Sequence, residues 1–527
     1  MLSTAEDQSL TSLVRDQYAT NPNLAMRPTQ VVYQAFLFRL FGLEPLGYHL
    51  VNLGVLIAVA VLLSLVLREL RLPRGLAVAV PAVYALMPNY ATARFWFASF
   101  GYLLGMALYL LALYADLRAA SSEHRRTVWT WKALALVTLT TAAFGYEVVI
   151  PLFLLNIGLA EVVARRLPSR GFRARMGPAG TALLHGSTLA VAVAAGLYKA
   201  SVAVGVGVGS SPLRYTLWLG SSSVATNFGT HGVGLPHTVG WALPHAGIGG
   251  VAIAILVGLG IYRYLAVVRD PRSEGDALPF RGGWLRMGVV GLVVFALGYS
   301  IFLTTGRIAF SSTGIANRVA TAGALGAAIV LVGAVGWIAS RLRSPRLRDR
   351  AFRAGIAALC LSGIVVVNGL ASFWVQSWEE QREVLADLDA AFPRLAPGST
   401  VLLGGVCPYV GPAIVFESSW DLQGALRVRH GDKSVDGDVT SGVVSAEPQG
   451  VVTQIYQVEV MHPYGARLFL YDRRAGTTTV LVDQSAARRA LSTQVSGTDC
   501  PEGRPGAGTI DLPFDVLFHW FRSRIGL

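Results

Sequence analysis

The sequence predicts an α-helical polytopic membrane protein of about ten spans, followed by a small extracytoplasmic C-terminal domain that is mixed α/β or mainly β. The 527 residues are 53% hydrophobic and only 14% charged, whereas soluble domains have about 25% charged residues. Uncharged apolar runs of about 20 residues recur along the chain, and a helix of that length crosses a bilayer. The C-terminal part changes to short alternating or β-rich runs, which are typical of strands.

Residues 1–44 are predicted to form an extracytoplasmic N-terminal segment with an interfacial helix. Pro28 suits the start of a helix, because its missing N–H would have no partner there. The apolar run 31–41 is too short to cross about 30 Å of hydrocarbon, so we expect it to lie along the membrane surface. The chain then breaks between Gly42 and Pro45, before the first span.

The transmembrane domain is predicted at 45–375 and the C-terminal domain at 376–527. The expected spans are 45–67, 75–93, 95–117, 128–144, 147–164, 179–199, 246–266, 284–305, 317–340 and 354–375. Residues 200–245, rich in Gly, Ser and Pro, are predicted to form a long outer loop. The β-rich runs of the C-terminal domain are STVLLGG, AIVFESSW, ALRVRH, VVTQIYQVEVM, ARLFLYD and TTTVLV.

Basic residues are divided unequally between alternate loops. Loops after odd-numbered spans hold 23 Lys and Arg, whereas the alternate loops, together with residues 1–44, hold 8. Because cytoplasmic loops are enriched in Lys and Arg, this predicts a multi-pass protein of the plasma (inner) membrane, with its N-terminus and C-terminal domain extracytoplasmic. The lipid bilayer is then a partner, and the net charge of +13 needs no nucleic acid to explain it.

The histidines and cysteines of the chain form no clear metal-binding or disulfide pattern. The spacing of His231, His237 and His245 across Gly and Pro matches no familiar set of metal ligands, so we do not expect a metal there. Cys407 and Cys500 both fall in the C-terminal domain. They could pair if that domain lies outside the cytoplasm, and the sequence leaves this open.

Five ionisable residues lie at the outer ends of predicted spans: His49, Arg94, Glu147, Arg307 and Arg318. Charges at membrane depth are costly, so such a group indicates a functional site. Glu147 stands alone between two apolar spans and therefore needs a partner or a role as base or metal ligand. Arg318 begins a span and could bind an anion such as a lipid phosphate, or could anchor the span at the interface.

The first part of the chain resembles the bacterial membrane glycosyltransferases of the GT-C superfold. These include relatives of protein O-mannosyltransferases and the TPR-containing transmembrane mannosyltransferases. In that family an Arg-Pro segment and the pattern G-x-x-P-x-x-Y-H-x-x-N precede a membrane helix. The matching residues here are Arg27, Pro28, Gly42, Pro45, Tyr48, His49 and Asn52. PAVYALMPNYATARFWFA is similar to the family's next helix and outer turn, and FGYEVVIP to its acidic outer turn, so the resemblance covers about residues 26–165.

The resemblance implies transfer of a sugar from a polyprenyl-phosphate donor to an extracytoplasmic glycan, lipid or protein acceptor during cell-envelope assembly. Such chemistry needs a carboxylate for the acceptor hydroxyl and positive charge, from Arg or a divalent cation such as Mg²⁺ or Mn²⁺, near the leaving phosphate. The resemblance gives Glu147 a catalytic role in acceptor or metal binding. It places Arg318 and Arg94 at the donor phosphate and Arg27, His49 and Asn52 at the substrate.

One departure from the family concerns the catalytic acid. The family begins with a cytoplasmic N-terminus and a span, followed by an outer loop that carries an acidic residue usually assigned as the base. Here the polar residues 1–28 already lie outside by the charge count, so we expect that the first span is missing. Glu6, Asp7 and Asp16 would remain from the catalytic loop, and Asp7 is the preferred catalytic candidate; a solvated tail is the alternative.

Two other functions remain open from sequence. A transporter or flippase of lipid-linked glycans should carry polar residues near mid-span, whereas the ionisable groups here are expected at span ends. A non-catalytic protein of envelope glycan assembly would need no catalytic acid.

Overall fold

The computed structural model describes residues 9–20, 22–166, 172–202, 212–268, 281–304, 311–455 and 458–493. The chain divides into two compact units. Within the described residues, the helical unit comprises 14–312 and 316–369. The C-terminal unit comprises 9–13, 313–315 and 370–493.

Most of the described chain is helical. The α-helices are α1 Leu10–Thr20, α2 Pro22–Ala25, α3 Pro28–Phe41, α4 Pro45–Glu69, α5 Arg74–Leu86, α6 Thr92–Phe95, α7 Phe100–Ser121, α8 Arg125–Gly145, α9 Phe153–Arg166, α10 Phe172–Val202, α11 Pro212–Val224, α12 Leu235–Val268, α13 Arg281–Ser300, α14 Thr321–Ala339, α15 Pro345–Ala391, α16 Ser419–His430 and α17 Gln484–Ser492. Short 3₁₀ turns join several of them, and a π-helical stretch, Ala225–Val233, joins α11 to α12.

Eight helical segments in the described chain are long and apolar enough to cross a membrane. They are Pro45–Glu69, Phe97–Ser121, Glu147–Arg166, Met176–Val202, Leu235–Val268, Gly282–Thr304, Ile315–Ala339 and Pro345–Ala391. The predicted spans 75–93 and 128–144 correspond to α5, an apolar helix of 13 residues, and α8, and they remain predictions.

One face of α4 carries exposed apolar side chains, as a lipid-facing helix requires. Leu46, Leu50, Leu53, Ile57 and Val61 are each more than half exposed. Their spacing of three or four residues places them on one face of the helix. A continuous exposed apolar face is unfavourable in water and favourable in hydrocarbon, which fits a multi-pass membrane protein.

The segment 26–52 folds as the sequence predicts. α3 begins at Pro28, and Gly42 ends it with a φ of 54°, a left-handed conformation that favours glycine. α4 then begins at Pro45. These local signals therefore confirm the helix–break–helix pattern of the prediction.

Helices occupy or extend beyond two of the predicted segments. The described part of the expected outer loop 200–245 is helical, because α11, the π-helical stretch and the first three turns of α12 occupy it. α15 is one helix of 47 residues and extends beyond both ends of the predicted span 354–375.

The helical unit also holds a buried ion pair near the ends of two predicted spans. Asp116 of α7 and Lys132 of α8 form a buried ion pair, with Nζ 2.9 Å from Oδ1. Asn156 donates to the other carboxylate oxygen at 2.8 Å, and Lys132 donates to Thr188 at 2.6 Å. These bonds link α7, α8, α9 and α10. The polar groups involved are shielded from water and bond to one another instead.

α13 and α14 approach closely through glycines. A Cβ added at Gly326 would lie 2.2 Å from the backbone N of Phe295, and one at Gly298 would lie 2.6 Å from the N of Gly323. Small residues that let backbones approach in this way are typical of helix pairs in membranes.

The C-terminal unit is mixed α/β. Its central sheet has the order β4 (Asp436–Val439), β1 (Thr400–Gly404), β8 (Leu468–Asp472), β9 (Thr477–Val480), with β1 parallel to both neighbours and β9 antiparallel to β8. The other strands are β2 (Tyr409–Val410), paired with β3 (Ala413–Ile414), and the antiparallel meander β5 (Val443–Glu447), β6 (Gly450–Ile455) and β7 (Val458–Pro463).

Local predictions for this unit hold in part. The predicted strands STVLLGG, ARLFLYD and TTTVLV contain β1, β8 and β9, but ALRVRH belongs to α16. Leu422 and Leu426, one helical turn apart on α16, are buried in the unit's core, and this packing favours the helix. Cys407 is disulfide-bonded, and Cys500, its predicted partner, lies outside the described residues.

Candidate functional site

Glu147 lies in a 3₁₀ turn, Glu147–Leu152, that joins α8 to α9. Arg27, just before α3, binds its carboxylate with two bonds, Nη2 to Oε1 at 2.5 Å and Nε to Oε2 at 3.1 Å. Lys199 of α10 donates to Oε2 at 3.1 Å. The lone carboxylate of the sequence therefore has two cationic partners, which come from distant parts of the chain.

Backbone and aromatic groups fix these two cations in place. The Lys199 ammonium also donates to the Met26 carbonyl at 2.8 Å. The Arg27 guanidinium lies 4.1 Å from the centroid of the Tyr146 ring, within range of a cation–π interaction. The Tyr146 hydroxyl donates to the Tyr102 hydroxyl at 2.8 Å.

The surroundings keep the Arg27 guanidinium charged and the Tyr146 phenol neutral. Burial acts to lower the pKa of the Arg27 guanidinium, but Tyr146 and the Glu147 carboxylate outweigh it, so the pKa is raised. Burial raises the pKa of Tyr146 well above its usual value, although Arg27 and Arg318 act in the opposite direction. The guanidinium groups of Arg27 and Arg318 therefore both lie close enough to the Tyr146 phenol to affect its pKa.

Arg318 reaches this region from the 3₁₀ turn Ile315–Ala320 before α14. Its guanidinium lies 5.0 Å from the ring centroid of Trp96. Arg27, Lys199 and Arg318 thus bring three positive charges to the region around Tyr146 and the Glu147 carboxylate.

Arg94 lies in the neighbouring turn, on α6. Its guanidinium donates to the Met87 carbonyl at 2.5 Å and lies 4.9 Å from the Tyr90 ring centroid. Its Nε is buried without a hydrogen-bond partner among the described residues, and no carboxylate within them pairs with it. A partly buried guanidinium in this state can accept an anion at little further desolvation cost.

Two asparagines hold the turn that carries Arg94. Asn52 of α4 donates to the carbonyls of Ala93 and Arg94, at 3.0 and 3.4 Å. Asn317 accepts from the Thr92 N–H at 3.3 Å and donates to the Pro88 carbonyl at 3.2 Å. Both side chains are buried, so Asn52 helps to hold this turn in place, and its role at the substrate stays a prediction.

The other predicted site residues fall into two groups. His49 is exposed on α4, whereas its neighbour Tyr48 donates to the Gly42 carbonyl at 2.6 Å and closes the break before α4. Asp7 and Arg307 lie outside the described residues. The structure thus brings Arg27, Glu147 and Arg318 into one region with Arg94 on the adjacent turn, and it does not bring His49 into contact with them.

Sequence reasoning missed Lys199, Tyr146 and Trp96. Lys199 is the last residue of the predicted span 179–199, so its position at a span end was a usable signal. Tyr146 and Trp96 looked like ordinary interfacial aromatics, and their contacts with Arg27 and Arg318 depend on the tertiary fold.

A divalent cation at Glu147 does not fit this arrangement. Both carboxylate oxygens are bonded to Arg27 or Lys199. Among the described residues there is also no group of three or more His, Cys, Asp or Glu that could hold a metal. His231, for example, is buried and bonds through Nε2 to the Ser312 carbonyl at 2.9 Å.

Comparisons with protein-family models, with curated proteins and with solved structures find no match to this chain.

Proposed function

We propose that the protein is an integral-membrane glycosyltransferase that takes a sugar from a polyprenyl-phosphate donor and passes it to an extracytoplasmic acceptor. The observation that carries this proposal is the cluster of Arg27, Lys199 and Arg318 around Tyr146 and Glu147. Several cationic and aromatic side chains beside membrane-length helices suit the phosphate and the lipid of such a donor. The motif resemblance over 26–165 points to the same class.

The proposed chemistry needs charge stabilisation at the donor phosphate. The acceptor oxygen forms a bond to the anomeric carbon while the bond from that carbon to the phosphate oxygen breaks. The hydroxyl proton leaves to a base, and polyprenyl phosphate leaves with one more negative charge than it had in the donor. We assign Arg318 and Arg94 to that charge, and Arg27 and Lys199 add positive charge beside them.

The geometry changes the role proposed for Glu147. A carboxylate bonded to two cations is a weak base, because their positive charges stabilise its deprotonated form. We therefore assign Glu147 as a positioning residue that holds Arg27 and Lys199 at the phosphate. The base would come from elsewhere, and Asp7, outside the described residues, keeps its place as the candidate.

The proposed orientation follows from the charge count. It puts this cluster and the C-terminal unit on the extracytoplasmic side of the plasma membrane, where lipid-linked sugars are used. Arg27, Glu147, Lys199 and Arg318 all belong to segments that the count assigns to that side.

The buried Asp116–Lys132 pair is the one observation that favours a transporter, since it places charges inside the bundle. Asp116 is five residues from the end of α7, or about 8 Å along the axis. It is thus near one end of the bundle instead of its middle. The pair is also fully engaged with neighbours, which suits a structural role better than a transport path.

Sugar transfer in membranes tests the proposal. We expect Glu147→Gln to abolish transfer from radiolabelled mannosyl-, glucosyl- or arabinosyl-phosphopolyprenol, while expression is retained. Glu147→Asp should restore part of the rate, because it keeps the charge. The matched control is Glu44→Gln, which removes an exposed carboxylate just before α4.

The kinetic constants separate positioning from general loss of fold. If Glu147 orients the cations at the phosphate, Glu147→Gln raises the KM for donor as well as lowering kcat. Unchanged transfer in Glu147→Gln would remove this residue from the mechanism.

A further inference from the structure

A second basic site lies at the opposite ends of three helices that meet the candidate site. An open pocket is lined by Glu69, Arg71, Ser121, Val163 and Arg166. These residues lie at or just beyond the C-terminal ends of α4, α7 and α9. Because α4 has 25 residues, it separates this pocket from its own first turn by about 37 Å.

The pocket keeps a positive charge, because its one acidic residue, Glu69, is already paired with Arg118. Glu69 accepts from the Ser121 hydroxyl at 2.9 Å and pairs with Arg118 at 3.5 Å. Arg166 uses Nη1 to donate to the Leu70 carbonyl at 2.8 Å, which leaves its other N–H groups available. Within the described chain, neither Arg71 nor Arg166 has a carboxylate at ion-pair distance.

Arg71 occupies a position where glycine is usual. Its φ of 59° is left-handed. The N–H of Leu72 bonds to the Leu67 carbonyl at 3.1 Å and that of Arg71 to the Arg68 carbonyl at 2.9 Å. This pair of bonds defines a Schellman ending of α4 with Arg71 at the left-handed position. The fold thus tolerates a disfavoured backbone conformation to keep a guanidinium in the pocket.

Exposed apolar side chains flank the basic groups. Leu72 follows Arg71 and Val162 precedes Val163, and both are more than a third exposed on the surface. A free anion would need only the guanidinium groups, whereas a phospholipid also needs an apolar surface beside them for its acyl chains. Basic pockets between membrane helices are typical sites for anionic headgroups.

We infer that this pocket binds the phosphate headgroup of an anionic phospholipid, with Arg71 and Arg166 as the anion-binding residues. Each guanidinium offers several N–H donors to phosphate oxygens in fork geometry. Arg118 adds positive charge at the edge of the pocket while it pairs with Glu69. This role is independent of the sugar-transfer proposal, because it uses the other ends of the helices.

Lipid binding to the full-length protein, purified in a neutral detergent, tests this inference. The probes are phosphatidylglycerol, phosphatidylcholine and inorganic phosphate, and the readouts are the Kd from native mass spectrometry and the shift in Tm. We expect phosphatidylglycerol to bind and to raise Tm, whereas phosphatidylcholine and millimolar phosphate do neither.

Arg71→Gly is the most informative variant, because it relieves the left-handed strain while it removes the charge. We expect it to fold at least as stably as the wild type without lipid, and to weaken phosphatidylglycerol binding by about fivefold. Adding Arg166→Gln should weaken binding by about 25-fold in total. Arg126→Gln, the loss of an exposed arginine at the start of α8, is the matched control and should bind as the wild type does.

Three results would overturn the inference. Phosphatidylglycerol binding that survives in the double variant would remove the pocket as its site. Equal binding of phosphatidylcholine would show that headgroup charge is irrelevant. A Tm shift produced by phosphate alone, equal to that produced by phosphatidylglycerol, would replace the lipid with a free anion.

Discussion

Replacing Lys132 with methionine should destabilise the helical unit by about 3–5 kcal/mol, because it leaves a buried carboxylate without its cation. The side chains of Lys132 and Asp116 are only 4% and 5% exposed, and their charged atoms lie 2.9 Å apart. After the substitution Asp116 keeps the hydrogen bond from Asn156, which cannot neutralise it. Thr188 also loses its donor.

The double variant Lys132→Met with Asp116→Leu should recover most of this loss, to within about 1–2 kcal/mol of the wild type, because neither charge is then buried alone. The assay is reversible unfolding of the purified protein in mixed micelles, with the free energy of unfolding measured for all four members of the cycle. Arg165→Met is the control, since Arg165 pairs with Glu161 one turn away and its side chain is 70% exposed. It should cost about 0.5 kcal/mol or less. A cost below about 1 kcal/mol for Lys132→Met, or no recovery in the double variant, would refute this reasoning.

Three further predictions concern packing, pH and orientation. Gly326→Ala should lower the stability of the helical unit by about 1–3 kcal/mol, because its Cβ would lie 2.2 Å from the Phe295 N; Gly288→Ala on α13 meets nothing within 4 Å and should be neutral in the same unfolding assay. Burial raises the pKa of Asp421 from 3.8 to about 6, so the native state holds this proton more tightly than the unfolded state. Raising the pH from about 4 to 6 should therefore remove about 2 kcal/mol of stability from the C-terminal unit, and Asp421→Asn should flatten that slope in pH-dependent unfolding. A cysteine at the exposed position 433 (Lys433→Cys) should react with a membrane-impermeant thiol reagent on intact cells, whereas labelling only after lysis would contradict the proposed orientation.

Local chemistry made part of the fold predictable. Pro28, Gly42 and Pro45 each restrict the backbone of their own residue, so the break between α3 and α4 could be read directly from the sequence. The long apolar runs likewise predicted the membrane-length helices. In contrast, ALRVRH alternates as a strand would, and only its packing against the C-terminal core makes it part of α16.

The sequence indicated several residues of the candidate site, but it did not indicate which of them bond to one another. Glu147 was identified because an isolated carboxylate between apolar spans requires a partner. Its partners lie 120 and 52 residues away along the chain, at Arg27 and Lys199. Such pairings arise from helix packing, which no local pattern reports. The same reason explains why Asp116 and Lys132 were overlooked, since each looked like a residue near the end of its own helix.

Binding of polyprenyl phosphate to the purified protein tests the central claim most directly, because binding does not depend on the catalytic base. The proposed site predicts that polyprenyl phosphate binds and that the uncharged polyprenol of the same length binds far more weakly. It also predicts that Arg318→Gln and Arg27→Gln each weaken the phosphate form by about tenfold while the polyprenol is unaffected. Equal binding of the two lipids, or unchanged binding of polyprenyl phosphate in both variants, would contradict it.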